Sequence, residues 1–187
     1  MRHKAALVVP VLMLAVGCSG PAPEAAPPPP PSVSTTAEVT FNGTDVAWIQ
    51  LMIPMTEQLV PLLEMASERA GDAPLRDLAA RLRDTHRAEA GELRALLART
   101  GLPDVNPHEG HNMPGMVTPE EVTALSQAQG AAFDEGFTTS LREYLAQVAM
   151  VSGSETEVGA DLQTTALAAR IATDREKDLA ELEKAAG

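Results

Sequence analysis

The chain has 187 residues and a formal net charge of −12, and this length fits one domain. Aromatic residues make up only 3% of it, whereas the good helix formers Ala, Leu, Glu and Arg are abundant. The composition therefore favours helices over a β-sandwich or barrel. The acidic charge argues against nucleic-acid binding, which requires basic surface. A single cysteine, Cys18, excludes an intrachain disulfide and a cysteine-based zinc cluster.

The N-terminal residues 1–17 have the pattern of an export signal. Arg2 and Lys4 give a basic start, and the apolar stretch 5–16 is shorter than the ~20 residues of a membrane-spanning helix. Residues 15–18 resemble a bacterial lipobox, which implies that Cys18 is acylated and anchors the mature protein in membrane lipid outside the cytoplasm. The alternative is an ordinary secretory signal followed by an unrelated cysteine.

Residues 18–40 have the composition of a tether. Prolines recur between Pro21 and Pro31, and Pro27 to Pro31 are consecutive. Such a segment favours an extended polyproline helix of ~3.1 Å per residue, which could hold a domain up to ~70 Å from the membrane. A proline-rich ligand for another protein is the alternative. We place the folded domain at residues 41–187.

The pattern of caps and breakers predicts an all-α domain. Thr44 is the expected N-cap of the first helix and Asp72 that of the second. Thr118 and Glu121 have the spacing of a capping box, with proline at the first helical position. Pro54 and Pro61 lie inside the first helix and predict a bend. The long helices are expected at about 44–70, 73–100, 131–152 and 158–186, with a short helix ending near 127 in the central connection.

The two halves of the domain are related by a shift of 89 residues. The shift pairs Asp45 with Asp134 and Trp48 with Phe137, and residues 78–81 (LAAR) with 167–170 (LAAR). The predicted fold is therefore a four-helix bundle built from a duplicated helical hairpin. The apolar seams of the first and third long helices follow the alternating steps of four and three that line a bundle core.

Polar residues interrupt the seams of the second and fourth long helices at equivalent places. His86 and Glu89 fall on core positions of the second helix, and Arg175 and Asp178 on those of the fourth. Because buried charge is costly unless it is paired, this coincidence predicts one polar cluster inside the bundle. The alternative is a slight rotation of both helices that turns the pairs towards solvent.

The loop between the halves concentrates soft metal ligands. His108, His111, Met113 and Met116 lie within nine residues. Thioether groups favour Cu(I) and imidazoles accept either oxidation state, so the loop is a candidate copper site. In the alternative interpretation Met113 and Met116 plug the end of the bundle around a tight Pro114-Gly115 turn.

No catalytic motif supports an enzyme. The chain contains no Glu-x-x-His, no HExxH, no glycine-rich phosphate loop and no G-x-S-x-G element. We therefore expect a protein without catalytic activity.

Three stretches resemble a known family, the secreted ferritin-like proteins of domain of unknown function 305. These are FNGTDVAWIQLMIP at 41–54, HNMPGMVTPEE at 111–121 and GAAFDEGF at 130–137. The resemblance covers about residues 41–186 and implies a four-helix bundle. Some members of the family are linked to copper or other metal handling outside the cytoplasm, so the resemblance implies that setting here.

The chain departs from the family at the positions that carry its helical metal site. The family usually has two adjacent histidines after the M-I-P of the first helix and a second pair at the matching place in the third. Here these places hold Met55-Thr56 and Tyr144-Leu145. The family often has Gln at the position of His86. The helical site therefore does not carry over, and Arg175 is expected to supply the positive charge that a metal would supply.

Two functions from different classes remain. The first is a membrane-anchored lipoprotein that handles copper at the cell envelope through the His/Met loop. The second is a metal-free interaction or scaffold lipoprotein in which the family site has degenerated. The sequence identifies neither a protein partner nor an oligomeric state.

Overall fold

The computed structural model describes residues 40–186, and the predicted signal, Cys18 and nearly all of the tether lie outside these residues. The described residues form helices and loops without a strand, which confirms the predicted all-α fold. The helices are α1 Gly43–Arg69, α2 Ala73–Thr100, α3 Pro119–Gln127, α4 Ala131–Val158 and α5 Leu162–Ala185.

The bundle consists of two helical hairpins. α1 packs along α2, and α4 packs along α5; the hairpins meet where α1 contacts α4 and α2 contacts α5. α3 belongs to the connection between the hairpins and contacts both α1 and α4, so the connection crosses that side of the bundle. This is the predicted arrangement of four long helices and one short one.

All four long helices contribute apolar side chains to the core, among them the seams of α1 and α4. Trp48, Met52 and Leu59 of α1 and Phe137 and Leu141 of α4 are at most 4% exposed. By length and composition α1 could cross a membrane, but 56% of its most apolar window is buried inside the bundle. Its apolar character therefore matches its place in the core, where burial stabilises by ~25 cal/mol per Å².

The N-cap of α1 is Asn42, whereas the sequence predicted Thr44. The Asn42 side-chain oxygen accepts hydrogen bonds from the backbone of Thr44 at 2.7 Å and of Asp45 at 2.9 Å. Asp45 in return accepts from the Asn42 backbone at 2.6 Å. This reciprocal capping box requires a carboxylate three residues after the cap, which Asn42 has in Asp45. α1 then continues through both of its prolines.

α4 is longer and α5 begins later than predicted, because the polar segment after Ser152 remains helical. The indole nitrogen of Trp48 donates to the Ser152 hydroxyl at 3.3 Å, which satisfies this polar side chain inside the core. α5 begins only after Asp161, whose carboxylate accepts from the Thr164 backbone at 2.9 Å.

Two further predicted caps are only partly formed. Asp72 occupies the N-cap position of α2 but forms no side-chain cap bond. Thr118 accepts from the Glu121 backbone at 3.2 Å. The Glu121 carboxylate accepts from the hydroxyl of Ser140 on α4, so it serves the packing of α3 rather than a reciprocal box.

Ion pairs on the surface follow the internal repeat. Arg81 of α2 pairs with Glu181 of α5, and Arg170 of α5 pairs with Glu92 of α2. The shift of 89 residues converts one pair into the other, so the hairpins are related by an approximate twofold rotation. Such exposed pairs contribute little stability, but they show that the duplication extends to the surface.

The repeated aspartates join the hairpins. Asp45 of α1 accepts from the backbone of Ala160 and Asp161 at 3.1 Å, in the turn between α4 and α5. Asp134 of α4 accepts from the Gly71 backbone at 3.0 Å, in the turn between α1 and α2. A Cβ on Gly71 would lie 2.8 Å from the Asp134 carboxylate, so a larger residue would displace that side chain. The first helix of each hairpin thus holds the turn of the other.

We expect Asp45→Ala to lower the free energy of unfolding by about 2–3 kcal/mol, because it leaves buried backbone N–H groups without acceptors. Asp134→Ala is expected to cost about 1 kcal/mol, since water can reach its partners. Urea unfolding followed by circular dichroism measures both, with the exposed Asp77→Ala as control. Equal losses from the two substitutions would contradict this account.

Candidate functional site

A buried ionic cluster lies between α2 and α5. Arg175 is 0% exposed and Glu89 is 1% exposed. The Arg175 guanidinium donates to the Glu89 carboxylate and, at 3.1 Å, to Asp178 Oδ2. The structure therefore brings these three predicted residues together, and the helices are not rotated towards solvent at this level.

His86 lies fully buried in the same region. Its Nδ1 bonds to the backbone carbonyl of Leu82 at 2.7 Å, and its ring centroid lies 5.3 Å from that of Tyr144. Burial, together with the positive charge of Arg175, lowers the pKa of His86 well below its usual value. The imidazole is therefore neutral, with the proton on Nδ1 and an unprotonated Nε2.

The charge of Arg175 opposes the effect of burial on its neighbours. Burial raises the pKa of Glu89 and that of Asp178, and the nearby guanidinium acts in the other direction on both. Burial also raises the pKa of Tyr144 to about 12, so its hydroxyl stays protonated. Because arginine does not lose its proton in proteins, this side chain is the permanent positive charge of the core.

This core does not fit a metal ion as it stands. Met55 and Thr56 of α1 and Tyr144 and Leu145 of α4 are all buried, and they hold the places where the resemblance implies histidine pairs. Both carboxylates that could bind an ion already accept hydrogen bonds from the Arg175 guanidinium. A bound cation would have to displace that charge from a medium that screens it poorly.

We expect Arg175→Met to destabilise the protein by about 3–5 kcal/mol, because it leaves two carboxyl groups in the core without a counter-charge. Arg81→Met, which breaks an exposed ion pair with Glu181, is the control and is expected to cost less than about 1 kcal/mol. Urea unfolding of metal-free protein gives both values. Equal stability of Arg175→Met and the parent would refute the counter-charge role.

A second buried carboxyl group, Glu155, was missed by sequence reasoning. It is 1% exposed and interacts with Asp45 beneath the turn between α4 and α5. A Cβ on Gly159 would lie 2.2 Å from Glu155 Oε1, so the side chain folds tightly under that turn. Its spacing of seven from Val148 places it on the seam of α4, but the predicted helix ended at Ser152.

The two carboxyl groups ionise differently. Burial, and the hydrogen bond and negative charge of Asp45, raise the pKa of Glu155 to about 8. Burial opposes ionisation of Asp45 too, but hydrogen bonds from the backbone of Asn42, Ala160 and Asp161 hold its pKa below the usual value. At neutral pH the pair is therefore one carboxylic acid and one carboxylate.

Glu155→Gln is expected to become increasingly stabilising, relative to the parent, as pH rises from 5 to 8. In that interval the unfolded parent has lost the Glu155 proton, at an ordinary pKa of 4.5, while the folded parent retains it. The group therefore lowers folding stability by at most about 1.4 kcal/mol per pH unit until its folded pKa is passed. Urea unfolding at several pH values measures the difference, with Glu157→Gln as exposed control. Parallel pH profiles for Glu155→Gln and the parent would contradict the assignment.

The His/Met loop lies along the side of the bundle. Met116 is buried and Met113 is half-buried against the core, whereas His108 is half-buried and His111 is exposed. Gly115 approaches Gln147 near the middle of α4. The interpretation in which the methionines plug the end of the bundle is therefore wrong, because the connection that carries them crosses the α1–α4 face.

The methionines flank a tight turn that requires glycine. The Met116 backbone donates to the Met113 carbonyl at 2.9 Å, and Gly115 has φ 72°, as in a type II turn. A Cβ at position 115 would lie 2.5 Å from Gln147 Cβ and 3.0 Å from the Glu143 carbonyl oxygen. The Pro114-Gly115 sequence thus sets how closely the loop packs on α4.

The loop forms a cavity of about 580 Å³ with the start of α3 and the middle of α1. His108, His111 and Met116 line it, as do Glu109 and Glu120, whereas Met113 is not among the lining residues. Residues 40–186 contain no group of three or more His, Cys, Asp or Glu side chains placed to hold a metal ion. A metal site here would therefore depend on the thioether of Met116 beside the two imidazoles, and that donor set suits copper.

The fold and this cavity define a class: a helical bundle of two related hairpins with a His/Met-bearing connection along its side. The chain belongs to the family described as domain of unknown function DUF305, whose pattern matches residues 45–186. Among curated proteins, none matches the chain significantly.

Several solved structures have the same fold. A DUF305 fragment from Deinococcus radiodurans is 21% identical with a TM-score of 0.69, over 79% of this chain and 97% of that one. A DUF305 protein from Streptomyces coelicolor is 20% identical with a TM-score of 0.67, over 75% and 90%. CopM in its Cu(I)-bound form is 19% identical with a TM-score of 0.65, over 76% and 95%. At these identities the likeness shows a shared fold.

Proposed function

We propose that this protein binds copper outside the cytoplasm, in the cavity on the α1–α4 side of the bundle. One observation carries the proposal: the fold brings His108, His111 and Met116 to the same cavity. Imidazole binds both oxidation states of copper and thioether favours Cu(I). The function is therefore capture or buffering of copper at the cell envelope, without catalysis.

The fold neighbours support this setting. CopM, which shares the fold, has been solved in Cu(I)-bound and Cu(II)-bound forms. The present chain lacks histidines at two helical positions where the resemblance implies them, so its ligands have to come from elsewhere. The His/Met loop holds two of the three histidines and two of the six methionines that follow Cys18, and it reaches solvent at His111.

Cys18 and the proline-rich segment extend this proposal to the location of the protein. Acylation of Cys18 would anchor the domain in membrane lipid at the extracytoplasmic face, and residues 18–40 would hold the cavity away from the bilayer. Metabolic labelling with a radioactive fatty acid, compared between the parent and Cys18→Ser, tests the anchor independently of copper.

A metal-free interaction or scaffold lipoprotein is the second candidate. The observation that favours it is the arginine in the centre of the bundle, which leaves the helical positions without a metal site. In that case the His/Met loop has only a packing role, for which the burial of Met116 would suffice.

Copper titration of the purified protein against a competing Cu(I) chelator separates the two candidates. We expect saturable binding at one equivalent, weakened at least about tenfold when His108→Ala and His111→Ala are combined, because both imidazoles are lost from the cavity. The control is Met150→Ala, which removes an exposed methionine outside the loop and is expected to leave binding unchanged.

Absence of binding tighter than micromolar would overturn the copper proposal and leave the metal-free candidate. Tight binding that survives the double histidine substitution would also contradict it, since the copper would then sit elsewhere. A circular dichroism melt of each variant verifies that the loop substitutions leave the bundle folded.

A further inference from the structure

A second cavity lies between α1, α2 and the segment that follows α2. Its volume is about 480 Å³, which is in the size range of small-molecule sites. The buried side chains of Ile53, Pro54 and Leu97 line it from the two helices, and Val105 lines it from the segment after α2. The cavity therefore has an apolar surface that can hold the carbon skeleton of a ligand.

The two prolines inside α1 leave backbone acceptors at this cavity. Proline has no N–H to donate to the carbonyl four residues before it. Pro54 therefore leaves the Gln50 carbonyl without its helical donor, and Pro61 has the same effect on the Glu57 carbonyl. All four residues line the cavity. Gln50 and Glu57 are seven positions apart, so their carbonyls lie about 10 Å apart along one side of the helix.

The side chain of Gln58 adds a third acceptor. Its Oε1 is buried and has no hydrogen-bond partner among the residues that the structure describes, and Gln58 lines the same cavity. A buried acceptor without a donor is costly. The cavity therefore favours a ligand that brings hydrogen-bond donors to it.

The charged residues of the cavity favour a cation. Glu57 and Asp104 line it together with Arg94. The Arg94 guanidinium donates to Glu57 Oε1 at 2.7 Å and also to the Asp104 carboxylate, so its donors are already engaged. Two carboxylates beside one guanidinium leave a net negative formal charge. A ligand that supplies both the donors and the missing positive charge is a protonated amine.

We propose that this cavity binds a linear aliphatic diamine, with one ammonium group at each of the two carbonyls that the prolines free. The spacing of about 10 Å between Gln50 and Glu57 excludes contact of a single ammonium with both carbonyls. Ile53 and Pro54 lie between them in the sequence and give the methylene chain an apolar surface. The site adjoins the cavity of the His/Met loop but uses neither histidine nor methionine, so it is independent of copper binding.

Isothermal titration calorimetry of the purified, metal-free protein with hexamethylenediamine tests the proposal. We expect saturable binding at one equivalent, at least about tenfold tighter than that of hexylamine, which has only one amine. Pro61→Ala returns an N–H to the Glu57 carbonyl without changing any charge, and it is expected to weaken diamine binding at least about fivefold. The control is Pro74→Ala in the first turn of α2, where proline frees no helical carbonyl and binding is expected to stay unchanged.

Equal diamine affinities of Pro61→Ala and the parent would overturn the proposal, because binding would then reflect only general attraction to an acidic protein. No binding in the millimolar range, or hexylamine binding as tightly as the diamine, overturns it too. Loss of the acceptor in Gln58→Met is expected to weaken diamine binding as well. A circular dichroism melt checks that the variants fold, and Pro61→Ala is expected to melt at a higher temperature than the parent, since proline is unfavourable inside a helix.

Discussion

The buried pairing of Arg175 with Glu89 is the interaction on which the organisation of this bundle depends. It joins α5 to α2 at a depth where neither charge reaches water, and an unpaired charge at that depth would not be tolerated. Rotation of either helix about its axis, or a shift of one turn along it, would separate the pair. The contact therefore defines the register of one hairpin against the other, which apolar seams with repeated spacing do not define alone.

The two hairpins share one arrangement of residues, but some equivalent positions in them have different chemical roles. Asp45 and Asp134 keep the same task in both halves, since each holds the turn of the other hairpin through backbone N–H groups. At the centre the equivalent positions diverge: His86 corresponds to Arg175, and Glu89 to Asp178. A neutral imidazole and a guanidinium can lie together in a dry core, because only one of them carries charge. The two hairpins have the same backbone arrangement but different residues at these positions, and this difference makes the buried cluster compatible with folding.

Much of the fold and part of the site follow from local sequence patterns. Steps of four and three predicted the helices, and the shift of 89 residues predicted their pairing into hairpins. The polar interruptions at His86 and Arg175 predicted where charge would be found. Thr44 was predicted as the cap, whereas the structure has Asn42, because Asp45 supplies the carboxylate that completes its capping box. The sequence did not predict Glu155 or the cavity around His108, because each depends on segments distant in sequence: Glu155 on Asp45, and the cavity on Gln58 of α1.

The protein therefore holds imidazole and other polar side chains in two places, one closed to solvent and one open to it. In the core, imidazole and carboxylates are held rigidly but are occupied by an internal cation, whereas the ligands of the side cavity lie on a loop and include a histidine exposed to solvent. An ion can enter and leave the second setting without opening the bundle, but not the first. A protein that exchanges metal with its surroundings needs accessible ligands, and one that only needs stability does better with a closed core. Under the proposed function, the arginine inside and the histidine–methionine loop outside let one bundle meet both requirements.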